Sequence, residues 1–165
     1  MTHVSTIGDT CTYDNYTYDN DTEIKSQTRT QSYDSNNVGT TISKVYAADG
    51  SVKSTNTTKV YYDSNLVLTK TETYSGETLS NTTEYTYTNG KLTTIKETTS
   101  SQVKTKNFVF NGNVVTSITI ITEPTENPND KNKIFYTYSN NYGDRDTAQY
   151  KWDTATRDFI PANQS

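Results

Sequence analysis

The sequence predicts an all-β protein, an antiparallel meander of about nine to eleven strands that forms either one long twisted sheet or a simple sandwich or barrel. Asn-Gly and Asp-Gly dipeptides, which tight hairpin turns prefer, recur at Asp49-Gly50, Asn89-Gly90 and Asn111-Gly112. The segments between such turns alternate Tyr, Thr, Val and Lys with the two-residue period of a strand. Apolar residues at helical spacing are missing, so we expect no helix.

The chain divides by its sequence pattern into four consecutive parts. Residues 1–12 show no alternation, and we expect them to form a mobile N-terminal segment. Residues 13–123 carry the repeated hairpins of the meander. Residues 124–132 are polar and contain two prolines, which predicts a loop. Residues 133–165 return to strand-like sequence, so we expect them to add the last strands of the same domain.

Two hairpins can be placed in register from their turns alone. We expect a two-residue loop at Asn89-Gly90 and another at Asn111-Gly112. The second loop sets Val109 opposite Val114. Because this hairpin carries apolar residues on both faces near its turn, we expect it to be the part of the fold that is covered on both sides.

The composition indicates a thin hydrophobic layer. Leu, Ile, Val and Phe together account for 27 of the 165 residues, whereas tyrosine alone accounts for 14. A tyrosine ring supplies apolar area while its hydroxyl remains in water. We therefore expect a polar fold built around tyrosine-covered sheet surfaces, with Thr and Val chosen for their strand propensity.

Charge and composition exclude several classes of function. The net charge is -4 and the 15 basic residues are scattered among acids, so we expect no nucleic-acid partner. No apolar run is long enough for a transmembrane segment. Cys11 is the only cysteine, which excludes an internal disulfide, and His3 is the only histidine, which argues against a catalytic triad or a histidine-rich metal site. We expect no enzyme, no cofactor and no metal.

Clustered aspartates suggest two alternatives to that expectation. One group is Asp14, Asp19 and Asp21, and the other is Asp144 and Asp146. Aspartate is common in turns, and we expect these side chains to be turn residues in solvent. A calcium site at the first group is one alternative, because hard cations bind clustered oxygen ligands. A glycosidase carboxylate pair is the other.

Rows of aromatic residues are the candidate binding site. Flat rings on an exposed sheet surface can stack against a sugar or a peptide at a small entropic cost. In each pair the two rings are two residues apart and so share a strand face. The candidate residues are Trp152, Tyr150, Tyr136, Tyr138, Tyr85 and Tyr87. The opposing interpretation is that these rings cover one another across strands and form the core.

The repeated Tyr-x-Tyr segments, each followed by a turn and a Lys-Leu-x-x-Ile-like segment, resemble YD-repeat (Rhs-like) sequences and the Tyr-Thr-rich repeat lipoproteins of Bacteroidetes. The copies lie at residues 16–19, 32–36, 61–65, 85–92 and 136–140, within a span of residues 13–142. The resemblance implies extended β-sheet built by hairpin addition and a surface or secreted setting. It implies no catalytic residues.

The function we expect is that of a non-enzymatic structural or adhesive module of a bacterial surface or secreted protein, which associates with itself through its sheet edges. A carbohydrate-binding module that uses the tyrosine and tryptophan rows, with glycans as partners, is a second hypothesis. A phage or viral structural protein, located in the virion, is a third, because the first ten residues show no signal-peptide pattern.

Overall fold

The computed structural model describes residues 1–19, 22–138 and 145–162. Over these residues the chain forms thirteen strands and no helix. The strands are β1 (Thr2–Ile7), β2 (Thr10–Asp19), β3 (Thr22–Tyr33), β4 (Val38–Tyr46), β5 (Val52–Tyr62), β6 (Leu68–Ser75), β7 (Thr78–Thr88), β8 (Lys91–Thr99), β9 (Gln102–Asn111), β10 (Val114–Pro124), β11 (Asn132–Tyr138), β12 (Arg145–Asp153) and β13 (Asp158–Pro161).

The strands form one open antiparallel sheet in which their order along the sheet is their order in the chain. The predicted all-β meander is therefore confirmed. Of the arrangements that the sequence left open, one long sheet or a simple sandwich or barrel, the strand order is that of one sheet. The expected count of nine to eleven strands was too low. The predicted loop at residues 124–132 lies between β10 and β11, although Pro124 still belongs to β10 and Asn132 begins β11.

The N-terminal segment accounts for part of the difference in strand number. Residues 1–12, which show no apolar alternation, nevertheless contain β1 and the start of β2, paired in register from Thr2 opposite Asn15 to Ile7 opposite Thr10. A Gly8-Asp9 turn joins them, with Gly8 at a φ of 55° that glycine adopts without strain. The missed sequence signal is this Gly-Asp dipeptide, which is itself a hairpin turn. The mobility of the segment stays a prediction.

The turn from β3 to β4 is a compact hairpin loop held by Asp34. The Asp34 amide donates to the Val38 carbonyl at 3.0 Å, and the Asn37 amide donates to the Asp34 carbonyl at 3.2 Å. The Asp34 carboxylate accepts from the amides of Asn36 and Val38, both at 2.9 Å. Asn37 occupies the left-handed region, with φ at 60°. Asparagine tolerates this conformation, so the loop is nearly free of strain.

The turn from β5 to β6 repeats the same geometry with one unfavourable residue. The Asp63 carboxylate accepts from the amides of Asn65 and Val67 at 2.8 and 2.9 Å. The residue in the left-handed position is Leu66, with φ at 61°. In the corresponding turn between β4 and β5 this position belongs to Gly50, with φ at 81°. Of the three residues at this position, Asn37, Gly50 and Leu66, leucine is the bulkiest and the least suited to the left-handed backbone conformation.

The Asn111-Gly112 hairpin differs from its predicted register by one residue. Gly112 and Asn113 form the loop, so Val114 lies opposite Asn111, and a bulge between Val115 and Ser117 then places Ser117 opposite Val109. A glycine that takes the first loop position, with φ at 58°, favours this arrangement. The expectation that this hairpin is covered on both faces was wrong, because Val109 and Val114 are each more than half exposed.

The chain divides into two compact units, Met1–Thr82 and Thr83–Ser165. The boundary falls within β7 and not in the proline-containing loop. Within each unit, the strands contact chiefly the strands that precede and follow them in the chain. In both units the hairpin is therefore the building block.

In neither unit do the described residues form a buried hydrophobic core. Among the residues that the structure describes, no hydrophobic side chain is buried, and the buried residues are Thr83 and Ser117. Many threonine and tyrosine side chains of the strands are instead half-buried. Cross-strand pairs of such side chains contribute about 0.2–1 kcal/mol each, so the stability of the sheet is distributed over many small contacts.

Candidate functional site

Two tyrosines of unit Met1–Thr82 come together on one face of the sheet. Tyr33 ends β3 and Tyr62 ends β5, and each precedes one of the two Asp-Ser-Asn turns described above. Their ring centroids are 6.3 Å apart, with the ring planes tilted by 51°. The repetition of one Tyr-Asp-Ser-Asn sequence therefore produces a pair of aromatic rings at one end of these strands.

A glycine in the intervening strand gives the two rings room to approach. Gly39 of β4 lies opposite Tyr33 on one side and opposite Val60 on the other. A Cβ atom at Gly39 would lie 3.8 Å from the Cδ2 atom of Tyr33, which is an ordinary contact distance. The Tyr33 ring thus lies across β4 where the strand carries no side chain, an arrangement in which an aromatic ring covers a strand glycine.

The two rings border a shallow pocket of about 450 Å³, which we call the Tyr33–Tyr62 pocket. It is open to solvent on one side. Its lining residues are Gln31, Ser32, Tyr33, Gly39, Thr40, Thr41, Val60, Tyr62 and Leu66. Apolar surface from the rings, Val60 and Leu66 lies beside hydroxyl and amide groups, so the pocket suits a small ligand with one apolar face and several polar groups.

The rim of the pocket is fixed by hydrogen bonds that join two turns. The Tyr33 hydroxyl donates to Asn37 Oδ1 at 3.1 Å, and Asn37 Nδ2 donates to the Asp63 carbonyl at 3.2 Å. The Tyr62 amide donates to the Asn37 carbonyl at 3.0 Å. Asn37 therefore connects both tyrosines and holds the turn that carries Leu66 against its own turn.

Leu66 combines backbone strain with exposure. Its left-handed conformation costs about 1–2 kcal/mol relative to a relaxed backbone, and its side chain is 65% exposed. Strained residues are often found at binding sites, where the surrounding structure maintains them. Here the strained side chain is one of the apolar groups that line the Tyr33–Tyr62 pocket.

A second cluster lies on the opposite face of β5 and β6, centred on Glu72. The hydroxyls of Tyr61 and Tyr74 donate to Glu72 Oε2 at 2.6 and 2.7 Å, and Lys70 Nζ donates to Glu72 Oε1 at 2.8 Å. The Lys70 ammonium also lies 4.0 Å from the centroid of the Tyr61 ring. One carboxylate thus holds two rings and a cation in a fixed arrangement.

Electrostatics fix the protonation states of this Glu72 cluster. The hydrogen bonds from Lys70, Tyr61 and Tyr74 lower the pKa of Glu72 to about 2. The hydrogen bond to Glu72, together with burial and the nearby negative charge, raises the pKa of Tyr61 to about 12. The carboxylate therefore stays ionised and the phenol stays protonated across the neutral range. A group that does not change charge near neutral pH is suited to structural support and not to proton transfer.

Asp14 of the predicted aspartate group has a similar role between β2 and β3. It accepts hydrogen bonds from Thr28 Oγ1 at 2.5 Å and from Lys25 Nζ at 3.0 Å, and these bonds lower its pKa. Asp21 lies outside the described residues, as does Asp144 of the second group. The structure therefore does not test the calcium site or the glycosidase carboxylate pair. Within the described part of the chain, no three His, Cys, Asp or Glu side chains are grouped as metal ligands.

The predicted Trp152 and Tyr150 share one face of β12, and cations cover their rings. Lys131 Nζ lies 3.9 Å from the centroid of the Trp152 ring, and Phe159 meets that ring edge-on at 5.2 Å. Lys133 Nζ lies 4.2 Å from the centroid of the Tyr150 ring. A ligand that stacks on these rings would have to displace the lysine side chains, which contribute about 0.5–1 kcal/mol each as cation–π contacts.

The other predicted rings lie elsewhere on the sheet. Tyr136 and Tyr138 belong to β11, where Lys133 is the residue that pairs with Tyr150, so strand alternation places them on the face opposite Tyr150. The guanidinium of Arg145 lies 4.7 Å from the Tyr136 ring centroid. Tyr85 and Tyr87 share a face of β7, with Tyr85 half-buried and Tyr87 37% exposed. The six candidate residues therefore do not form one continuous row.

Comparison with known proteins gives no family for this chain. No protein-family model and no curated protein matches it. The YD-repeat resemblance stays a prediction, and the last two residues of its final copy, 139 and 140, lie outside the described part of the chain. In that part, no helix is long and apolar enough to cross a membrane.

Sequence reasoning missed the residues that line the Tyr33–Tyr62 pocket. One signal was available, because Tyr-Asp-Ser-Asn occurs twice, beginning at Tyr33 and at Tyr62. Two equal turns at the ends of β3 and β5 place equivalent residues on one face with a single strand between them. A glycine in that strand, Gly39, was the second signal. Neither signal contains Trp, His or a carboxylate pair, the residues on which a search for binding or catalytic sites concentrates.

Proposed function

We propose that the chain is a non-enzymatic structural or adhesive β-sheet module of a bacterial surface or secreted protein, and that it acts through the exposed surfaces of its sheet. The observation that carries this proposal is that no described hydrophobic side chain is buried. A protein that encloses a reaction or a ligand usually builds a core around a concave site. This chain instead leaves both faces of its strands accessible to other molecules.

The charged clusters support a structural role. Glu72 and Asp14 are held ionised by neighbouring lysines and hydroxyls, and each connects two adjacent strands. Such contacts fix the register of a sheet in which no described hydrophobic side chain is buried. The Glu72 and Asp14 carboxylates thereby hold neighbouring strands together.

Exposed apolar side chains give the sheet an adhesive component. In unit Thr83–Ser165, Val109 and Val114 are 54% and 52% exposed near the turn between β9 and β10. Valine at such positions adds apolar contact area to a surface that is otherwise rich in hydroxyls. We propose that this hairpin contributes to contact with solid or cellular surfaces.

Adhesion can be tested by measuring retention of the purified protein on sensors coated with peptidoglycan, cellulose, chitin or bare polystyrene. We expect retention that soluble sugars do not reverse, and weaker retention for a Val109→Thr/Val114→Thr variant. The matched control is Val103→Thr/Val115→Thr, which makes the same chemical change at half-buried positions of the same hairpin. Absence of retention on every surface, or an equal loss in both variants, would contradict the proposal.

The Tyr33–Tyr62 pocket favours carbohydrate binding as a second candidate function. Its two tilted rings and Leu66 offer an apolar surface to one side of a sugar ring, while Gln31 and Thr41 offer hydrogen-bonding groups. We propose this pocket as the sugar site in place of the tryptophan and tyrosine rows, because cations cover Trp152, Tyr150 and Tyr136.

Calorimetric titration with a panel of mono- and oligosaccharides tests this second function. We expect binding that is lost in Tyr62→Ala and in Gly39→Leu, which fills the pocket from its floor, and retained in Trp152→Ala. Binding that survives both pocket substitutions but is lost in Trp152→Ala would place the site at the predicted rings. A complete absence of binding across the panel would remove this function.

A further inference from the structure

The first strand of the sheet is an open edge with unusual apolar exposure. β1 pairs with β2 on one side, and no other strand of the described residues pairs with its outer side. All six residues of β1 are exposed. Val4 is 60% exposed and Ile7, at the end of the strand, is 82% exposed, while the adjacent Met1 is 67% exposed. An exposed edge of this kind is a template for pairing with another strand.

The hydrogen bonds of residue 1 show which backbone groups of β1 face outwards. The Met1 nitrogen donates to the Tyr16 carbonyl at 3.2 Å, and the Tyr16 amide donates to the Met1 carbonyl at 2.9 Å. In an antiparallel ladder such doubly bonded pairs recur at every second residue. His3, Ser5 and Ile7 therefore bond to β2. The N–H and C=O groups of the even-numbered residues of β1 point outwards.

The opposite edge of the sheet is protected. β13 has four residues, begins with the charged Asp158 and ends with Pro161, which has no N–H group to donate. Short length, charge and proline are the features by which natural sheets block edge pairing. β1 has no lysine and no proline, so only one of the two edges is suited to association.

We propose that β1 pairs with β1 of a second copy of this chain, antiparallel about a two-fold axis, with Val4 opposite Val4 of the other copy. This inference rests on the proposed function, since it describes how the structural module joins to itself. A two-fold axis perpendicular to the sheet is the one that continues the sheet antiparallel, and it keeps each face on its own side. Opposite residues must then share a face, so an even-numbered residue meets an even-numbered residue.

This register matches the strand to itself at every position. Thr2 lies opposite Thr6 of the other copy, so three β-branched pairs, Thr–Thr, Val–Val and Thr–Thr, form on one face. The outward N–H and C=O groups of Thr2, Val4 and Thr6 are the groups that such a ladder bonds. On the other face, Met1 meets Ile7 of the second copy, which covers the two most exposed large hydrophobic side chains among the described residues. His3 meets Ser5, so no like charges oppose each other.

Because β13 is blocked, this association ends at two copies and does not form fibres. The expected mass is about 37 kDa, twice the 18.6 kDa of one chain. This mass is measured by size-exclusion chromatography coupled to light scattering, with the protein concentration varied over about a hundredfold range. A mass of one chain at all concentrations would overturn the proposal, as would a mass that grows beyond two copies.

A charge at the centre of the edge tests the strand involved. Val4→Lys places two lysines directly opposite each other, and we expect dimerisation to weaken by about tenfold or more. The matched control is Val52→Lys, the same change at a valine of similar exposure on β5, and we expect it to leave the dimer unchanged. Equal dimerisation of wild type and Val4→Lys would overturn the proposal.

Cysteine cross-linking tests the register. In a Cys11→Ser background, Val4→Cys places two cysteines opposite each other, with Cα atoms about 5.5 Å apart, within disulfide range. Ser5→Cys lies diagonally from its counterpart at about 7–8 Å, too far for a disulfide. We expect oxidation to cross-link Val4→Cys and not Ser5→Cys. Preferential cross-linking of Ser5→Cys would overturn this register.

The mass and the adhesion of the wild-type protein, measured on the same sample, separate this proposal from the proposed function. A dimer that does not adhere contradicts the adhesive function and leaves the β1 pairing intact. A monomeric wild-type protein that adheres contradicts the β1 pairing and leaves the adhesive function intact.

Discussion

The Tyr61 hydroxyl of β5 donates a 2.6 Å hydrogen bond to the Glu72 carboxylate of β6. The bond joins two neighbouring strands on a face where none of the described hydrophobic side chains is buried to hold them together. It also sets the charge of both partners, since the pKa of Glu72 is about 2 and that of Tyr61 is about 12. In this sheet a charged cluster performs the cross-strand packing that aliphatic side chains perform in most proteins.

The acid stability of the protein is expected to depend on Glu72. Its pKa falls from 4.5 in the unfolded chain to about 2 in the folded one, so its contribution is present above pH 4.5 and is lost as the pH falls towards 2. Glu72→Gln should lower the free energy of unfolding at pH 7 by about 1–2 kcal/mol after allowance for solvent screening. Urea denaturation from pH 7 to pH 2 measures this. The exposed Glu77→Gln is the control, and parallel curves for wild type and Glu72→Gln would contradict the prediction.

The alkaline stability is expected to depend on Tyr61. Its pKa rises from 10.0 to about 12, so its contribution is present below pH 10 and is lost as the pH rises towards 12. Tyr61→Phe keeps the ring and removes the hydroxyl, and it should cost about 1 kcal/mol at pH 7. Thermal unfolding at pH 7 to 11 should show a shallower alkaline loss for the variant than for wild type. An equally steep loss would show that other groups cause it.

Replacement of Leu66 should stabilise the protein. Leu66→Gly or Leu66→Asn relieves the left-handed backbone strain, and we expect the free energy of unfolding to rise by up to about 1 kcal/mol. Leu66→Ala is the control, because alanine keeps the strain and removes the exposed side chain. If Leu66→Ala stabilises as much as Leu66→Asn in urea denaturation, the exposed side chain and not the backbone is the cause.

Gly39→Ala should also stabilise the protein. The backbone at Gly39 does not require positive φ, and a Cβ atom would meet Tyr33 at an ordinary 3.8 Å. Alanine restricts the unfolded chain more than glycine, so we expect a gain of about 0.5–1 kcal/mol. A loss of stability in thermal unfolding would show that Tyr33 needs the space above β4.

The emission of the single tryptophan should report the Lys131 contact. Lys131→Met removes the cation 3.9 Å from the Trp152 ring centroid, and we expect a shift of the emission maximum with a loss of about 0.5–1 kcal/mol in stability. Lys151→Met, on the exposed side chain next to Trp152 in the chain, is the control. Identical spectra for wild type and Lys131→Met would show that the contact does not persist in solution.

Turn chemistry made much of the fold predictable. Asn89 and Gly90 both adopt positive φ, at 51° and 75°, as a two-residue hairpin loop requires, and the sequence predicted this turn correctly. Asn111-Gly112 contains the same dipeptide, but there the loop moves one residue and Asn113 follows the glycine. Both loops place their glycine at a positive φ, which glycine adopts without strain. The dipeptide alone therefore does not determine which residues form the loop.

The pocket was less predictable because it depends on three strands at once. The distance between Tyr33 and Tyr62 depends on the register of β4 with both of its neighbours and on the missing side chain at Gly39. A single sequence specifies each hairpin locally but not how its ring meets a ring two strands away. Similarly, Trp152 was identified by its residue type. The lysine whose ammonium group lies over its ring, Lys131, belongs to the loop before β11.

The preference of the strands within each unit for their chain neighbours has a consequence for how the protein reaches its structure. Within each unit, strong contacts are local in sequence, so the contact order is low and hairpins can form early at a small loop-closure cost. Each added hairpin uses its predecessor as a template, as repeats do in solenoid proteins. Gain or loss of a whole hairpin would therefore leave the remaining folding steps unchanged, and a gene encoding such a chain can lengthen or shorten by hairpin units.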